Sequence, residues 1–244
     1  MAVCVLVHGA WHGAWCWDRL RPELVAAGHR VVAPDLPGSG ADPTPAAQVT
    51  LADYVATVVA DIEALDEPVV LVGHSLAGLT ITPVAEAVPD RVRALVYLSA
   101  QLMPAGVSLA AWREGKPATL IAENRTMSDD GLTSTIRPEA LTGIFYGDCS
   151  KADADWAISR LRPQPVAVYG TPVQRSEARW GRVPRYYIEC LQDRAIPIAD
   201  QREMLAATPC KRVIALDSAH SPFLSMPARL AACIDEVARA EGGA

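Results

Sequence analysis

Val69-Val70-Leu71-Val72-Gly73-His74-Ser75-Leu76-Ala77-Gly78 is the stretch that decides the fold. Four apolar residues run into Gly-x-Ser and then into a helical pattern that reaches about Ala87. A strand that turns sharply into a helix lifts the serine hydroxyl above the sheet, and small flanking residues let strand and helix approach closely. Such an elbow usually has glycine at its fifth position. Here Ala77 stands there and Gly78 follows, which reads as a tolerated small-residue variant. A serine before a helix is also a common N-cap, but the apolar strand in front of Ser75 favours the elbow.

Outward from this point, short apolar strands alternate with helical patterns. Val3–Val7, Arg30–Ala33, Val69–Val72, Ala94–Leu98, Arg185–Cys190 and Val213–Leu216 read as strands. Trp17–Ala27 reads as a helix. A second opens at Thr50, with Asp53 completing a capping box, and repeats Leu51, Tyr54, Val55, Val58, Val59, Ile62 and Leu65 at the 3.6-residue period. A last helix spans about Pro227 to Ala240, with proline in its first turn. Continuously apolar strands between helices specify a mostly parallel sheet with helices on both faces. The rhythm breaks between Pro104 and Val183, where prolines, glycines and short helical patterns crowd together. Residues 104–183 are therefore expected to form a helical cap inserted into a core made of residues 1–103 and 184–244.

The totals fit one such domain. The chain has 244 residues, half of them hydrophobic, and a net charge of −6. No clustered basic face suggests nucleic acid, and no apolar run reaches membrane-spanning length. Met1–Val7 reads as the first strand rather than a signal peptide. The six cysteines lack ligand spacing, so they are expected as free thiols in a cytoplasmic protein, with no metal site. The Ala- and Arg-rich composition points to a bacterial source. The oligomeric state stays open, a homodimer included.

A serine hydroxyl needs a base within hydrogen-bond reach, and the base needs an orienting acid. In a strand-elbow-helix protein the chain order is Ser, then Asp or Glu, then His. Of five histidines only His220 lies downstream of Ser75, in the loop after Val213–Leu216. His74 adjoins the nucleophile and should point elsewhere, and His29, in a Gly28-His29-Arg30 turn, is expected to be solvated. The acid belongs in a loop after a neighbouring strand. Asp193 follows Arg185–Cys190, while Asp217 is too close to His220 and Asp200 belongs to the next helix. The loop after Ala94–Leu98 offers Ser99, Ala100 and Gln101 but no carboxylate. Ser75, His220 and Asp193 are thus the expected nucleophile, base and orienting acid. The oxyanion that develops during acyl transfer needs two backbone donors. The N–H of Leu76 and the N–H of Ala10, in the loop Val7-His8-Gly9-Ala10-Trp11-His12-Gly13, are the expected pair.

Leu6-Val7-His8-Gly9-Ala10-Trp11-His12-Gly13-Ala14-Trp15-Cys16-Trp17 resembles the opening of the plant methylesterase and hydroxynitrile lyase family and of its bacterial esterase relatives. Ala33-Pro34-Asp35-Leu36-Pro37-Gly38-Ser39-Gly40, Leu98-Ser99-Ala100 with Met103-Pro104, Leu161-Arg162-Pro163, Tyr187–Asp193 and Ala219-His220 extend the likeness over almost the whole chain. The resemblance implies an α/β-hydrolase fold, the same triad and no cofactor. Lyases of this family carry threonine directly after the first-strand histidine and lysine directly after the catalytic histidine. Gly9 and Ser221 stand at those positions, which favours ester hydrolysis through an acyl-enzyme. A receptor on the same fold, using the site only to bind, is the other alternative.

Trp11, His12, Leu102, Met103, Trp112 and Phe145 are the expected lining of the substrate site. Such an apolar set suits a neutral small-molecule ester with aromatic or branched parts.

Overall fold

The computed structural model describes residues 1–242. Among the described residues nine strands run in chain order: Val3–Val7 (β1), Arg30–Val32 (β2), Val69–His74 (β3), Val92–Leu98 (β4), Arg125–Met127 (β5), Thr133–Ile136 (β6), Gln164–Pro165 (β7), Arg185–Cys190 (β8) and Arg212–Leu216 (β9). Six of them form the central sheet in the order β2-β1-β3-β4-β8-β9, and every pairing is parallel. All residues of β1 and β3 are buried. A strand with no solvated side requires cover on both faces, which is why these segments read as unbroken apolar runs.

The first helices are Leu20–Ala26 (α1), Leu51–Glu63 (α2) and Gly78–Ala87 (α3). Trp17 belongs to a preceding 3-10 turn, Ala14–Trp17, rather than to α1. The capping box on α2 is formed: Thr50 Oγ1 accepts the Asp53 N–H, and Asp53 accepts the Thr50 N–H. Leu51, Tyr54, Val58 and Ile62 are its buried stripe, and α2 packs on α3.

Between β4 and β8 the chain leaves the sheet. It forms the helices Leu109–Arg113 (α4), Leu120–Asn124 (α5), Pro138–Phe145 (α6), Lys151–Ile158 (α7) and Ala167–Gly170 (α8). Helices dominate this region, and β5, β6 and β7 add to them a small antiparallel sheet that the sequence did not indicate. These strands are only two to four residues long, too short for an alternating pattern to stand out from a loop. After β8 come Ile198–Ala207 (α9), Pro222–Ser225 (α10) and Pro227–Ala240 (α11). Helix α11 packs against α1.

The C-terminal ends of β1, β3, β4, β8 and β9 open onto one rim, the location where open α/β sheets bind ligands. Leu191 N and Gln192 N donate to the carbonyls of Leu216 and Ser218. The loop after β8 is thereby stitched to the loop after β9. His29 departs from expectation: it is buried, and its Nε2 lies 3.0 Å from Asp235 Oδ1 of α11. Its partner is remote in sequence, so the local turn did not reveal it. Among the described residues, no helix is long and apolar enough to cross a membrane.

Candidate active site

Ser75 follows β3 directly, at φ +56°. Left-handed backbone is costly for a residue with a Cβ and persists where surrounding structure enforces it. Among the described residues, Trp11 (φ +63°), Ser75 and Ser99 (φ +37°) are the non-glycine residues in this region. All three belong to one site.

The elbow's tight approach falls one position later than usual. A Cβ on Gly78 would lie 2.0 Å from the Gln101 carbonyl oxygen. Ala77 meets no such demand and is simply buried. Gln101 N donates to the Ser75 carbonyl at 2.9 Å, so the turn after β4 is held against the elbow. On the other side, a Cβ on Gly9 would come within 2.8 Å of Ser75 Cβ. The loop after β1 therefore passes over the nucleophile with no room for a side chain.

The three residues expected to act together are adjacent. His220 Nε2 is 3.0 Å from Ser75 Oγ, and His220 Nδ1 is 2.6 Å from Asp193 Oδ2. Nδ1 donates to the carboxylate, which leaves Nε2 as the acceptor of the serine proton. The Asp193 carboxylate is fully covered. Its Oδ1 accepts the N–H groups of Ala195 (2.7 Å) and Ile196 (2.9 Å), and its Oδ2 also accepts the Ser99 hydroxyl (2.5 Å). Ser99 appears in the sequence only as a residue that is not a carboxylate, and its hydroxyl's direction depends on its unusual φ. Asp217 instead bonds Gln192 at the surface, and Asp200 sits in α9.

Three further histidines lie beneath the site, all with pKa lowered by burial. His8 Nδ1 donates to the Gly9 carbonyl at 2.9 Å, while its Nε2 accepts the Leu36 N–H at 3.1 Å. His12 Nδ1 donates to the Ala10 carbonyl at 2.7 Å, its Nε2 accepts the Tyr146 hydroxyl at 2.8 Å, and burial pushes its pKa down to about 3. His74 Nε2 donates to the His220 carbonyl at 2.9 Å, and its pKa lies well below the ordinary range. His74 does point away from Ser75, but it braces the loop of His220.

A cavity of about 1000 Å³ opens above Ser75. Of the residues named for the substrate site, Trp11 and Trp112 are on its wall, together with Ala10 and Leu76. The other four, His12, Leu102, Met103 and Phe145, lie off this wall. His12 spends both ring nitrogens on Ala10 and Tyr146. Leu102 and Met103 are almost wholly buried, with the Leu102 N–H 3.3 Å from Met204 Sδ and the Met103 carbonyl accepting from Arg175 Nε. Phe145 packs behind the wall, 5.7 Å from the rings of both Trp11 and His220. In their place Leu109, Ile121, Tyr169, Ile196 and Met204 form the apolar wall. Arg113, Glu114, Lys116, Arg125 and Asp200 bring charge that the apolar expectation did not include. Arg113 is paired with Asp200 at 2.6 Å, and Lys116 with Glu203 at 2.7 Å.

Among the described residues no group of His, Cys, Asp and Glu could hold a metal ion. All six cysteines are free, and burial raises the pKa of each thiol. Ser75 Oγ beside the His220 imidazole is an arrangement suited to acyl transfer.

Comparison with known proteins agrees with this chemistry. The sequence profile of the alpha/beta hydrolase family matches residues 4–233, and the chain belongs to that family. It is 33% identical to methylesterase 7 of Arabidopsis thaliana over 96% of this chain and 95% of that protein. It is 36% identical to the pyrethroid hydrolase of Sphingobium wenxiniae over 97% of this chain and 87% of that one. The crystal structure of a pyrethroid hydrolase from Sphingobium faniae superposes with a TM-score of 0.90, at 33% identity over 98% of both chains. Within the family the chain stands among the esterases, and it is a carboxylic ester hydrolase.

Proposed function

We propose that the protein is a serine carboxylesterase acting on a neutral, largely apolar small-molecule ester, with Ser75 as nucleophile, His220 as general base and acid, and Asp193 as the acid that orients it. The observation that carries this reading is the chain of contacts Ser75 Oγ–His220 Nε2–His220 Nδ1–Asp193 Oδ2, at 3.0 and 2.6 Å, which begins at Ser75 on the cavity wall. His220 takes the Ser75 proton as Oγ attacks the ester carbonyl, and the imidazolium that forms is held by Asp193. The N–H groups of Ala10 and Leu76 stabilise the oxyanion. The imidazolium protonates the departing alkoxide, leaving an acyl-enzyme on Ser75. A water deprotonated by His220 then releases the acid.

Residues 104–183 act in this reading as a cap whose helices α4, α5 and α8 shape the pocket. Names among the relatives support the ester assignment: a methylesterase and a pyrethroid hydrolase. The site offers a lyase no cation at the residue after His220, where Ser221 is fully buried. We further read the protein as cytoplasmic and bacterial, on its free thiols and composition.

Release of p-nitrophenol from the acetate and butyrate esters tests the proposal. Wild-type turnover should fall by about 10⁴-fold or more in Ser75→Ala. An inert wild type, or a mutant equally active, would overturn it.

A further inference from the structure

We infer that Ser99 is a positioning residue of the reaction, fixing the Asp193 carboxylate and restraining how strongly it draws the proton-bearing His220. The inference rests on the triad proposed above. Ser99 is fully buried at the end of β4, and its N–H donates to the Ile188 carbonyl of β8 at 2.8 Å. Its backbone thus continues the sheet, and a φ of +37° turns its hydroxyl onto Asp193 Oδ2 at 2.5 Å. His220 Nδ1 donates to that same oxygen from 2.6 Å. Two residues on, Gln101 N holds the Ser75 carbonyl. One short turn therefore grips both ends of the triad, the nucleophile through backbone and the acid through a side chain.

A buried turn could be satisfied by glycine, which adopts positive φ without cost. The chain instead keeps a residue with a hydroxyl in strained backbone. What serine adds is one O–H donor to a buried carboxylate. Hydrogen bonds to the charged form of a carboxylate favour it and lower its basicity. The carboxylate then stays an anion when Ser75 loses its proton, and its grip on the His220 imidazolium is moderated.

The groups facing this pair are accounted for. His74 is 4.5 Å from the His220 ring and, like His12, remains neutral through burial. The Tyr187 hydroxyl donates to the Ala100 carbonyl, and burial holds both it and the Cys190 thiol well above the neutral range. Asp148 Oδ2 accepts the Ala219 N–H beside the histidine. The acid limb of kcat/KM is therefore the readout of the Ser99–Asp193–His220 chain of contacts.

The test compares Ser99→Ala and Ser99→Gly with wild type on p-nitrophenyl butyrate, across pH and with thermal unfolding recorded for each. Both variants lack the hydroxyl, but glycine relieves the backbone. Positioning by the hydroxyl predicts that both move the acid limb to higher pH by about half a unit to one unit. It also predicts a kcat about 3- to 30-fold lower at neutral pH, with KM little changed. A folded Ser99→Gly protein with the wild-type pH profile and kcat would overturn the inference while leaving the esterase reading standing. A wild type inert toward esters would remove both.

Discussion

His8 donates from Nδ1 to the carbonyl oxygen of Gly9 at 2.9 Å. In a trans peptide the C=O and N–H point to opposite edges, so holding the Gly9 oxygen on one side turns the Ala10 N–H to the other, the fixed orientation that an oxyanion donor at Ala10 would need. The next peptide is fixed the same way. His12 Nδ1 holds the Ala10 carbonyl at 2.7 Å, and the Trp11 N–H faces Gln164 Oε1 at 3.3 Å. Buried neutral imidazoles set the loop's two consecutive peptide planes, which explains the spacing of His8 and His12 in the opening stretch.

Loss of the first of these bonds should appear in kcat. Deleting an oxyanion donor outright costs about 10²–10³-fold. Freeing the Gly9–Ala10 peptide to rotate costs less, so His8→Ala should lower kcat by about 10- to 100-fold with KM within a few-fold. Steady-state kinetics on p-nitrophenyl esters check this. A rise confined to KM would show that His8 serves binding instead.

The same burial makes the protein acid-sensitive. His8, His12 and His74 have folded-state pKa values below the ordinary 6.5. A histidine depressed in the folded state binds its proton first in the unfolded chain, so stability is full above about pH 6.5 and declines as pH falls toward the folded value. For His12 that window runs from 6.5 down to about 3. Each such group contributes a slope of about 1.4 kcal/mol per pH unit inside its window. By pH 5 His12 alone removes about 2 kcal/mol, and His8 and His74 act in the same direction. Urea midpoints at pH 7, 6 and 5 should therefore fall steeply. A flat series would mean that these imidazoles are hydrated.

The sequence made the sheet and the strand-to-helix turn at Ser75 legible, and offered Asp193 and His220 in the order a triad would need, because each is written locally. An apolar run, a Gly-x-Ser turn and a carboxylate after a strand need no knowledge of remote partners. The β8 boundaries and the span of α11 were readable for the same reason. What escaped was pairing across the fold. His29 looks like a turn residue until Asp235, 206 positions away, covers it. Ser99 is an unremarkable serine until its φ of +37° aims it at Asp193. Aromatic and apolar residues near the site divide into wall and backing, and periodicity cannot tell Trp112 on the cavity from Phe145 behind His220.

The mouth of the cavity should tune affinity rather than chemistry. Arg113 and Asp200 join α4 to α9 at 2.6 Å, and both face the pocket. Each side chain is about a quarter exposed, so the pair contributes at most about 1 kcal/mol to stability. Asp200→Asn leaves the guanidinium unpaired at the entrance. KM for a neutral ester should rise about 2- to 5-fold, with kcat and the melting temperature nearly unchanged. A fall in kcat instead of a rise in KM would place the pair closer to the chemistry than its position suggests.

The displaced glycine of the elbow gives the sharpest contrast. At position 77 the chain already carries a Cβ, so Ala77→Gly only loosens a buried turn, at a cost of about 1 kcal/mol. At position 78 a Cβ would lie 2.0 Å from the Gln101 carbonyl oxygen. That oxygen is backbone and cannot swing aside. Gly78→Ala must then push the turn after β4 away from α3, and with it the Gln101 N–H that holds the Ser75 carbonyl and the Ser99 hydroxyl that holds Asp193. Overpacking of this kind costs about 1–3 kcal/mol. Because the strain falls between nucleophile and acid, kcat should drop by more than 10-fold even where the protein remains folded. Circular dichroism and kinetics on the two variants decide the matter. Equal activity in Gly78→Ala and Ala77→Gly would mean that the contact between α3 and the β4 turn is soft, and that the triad does not depend on it.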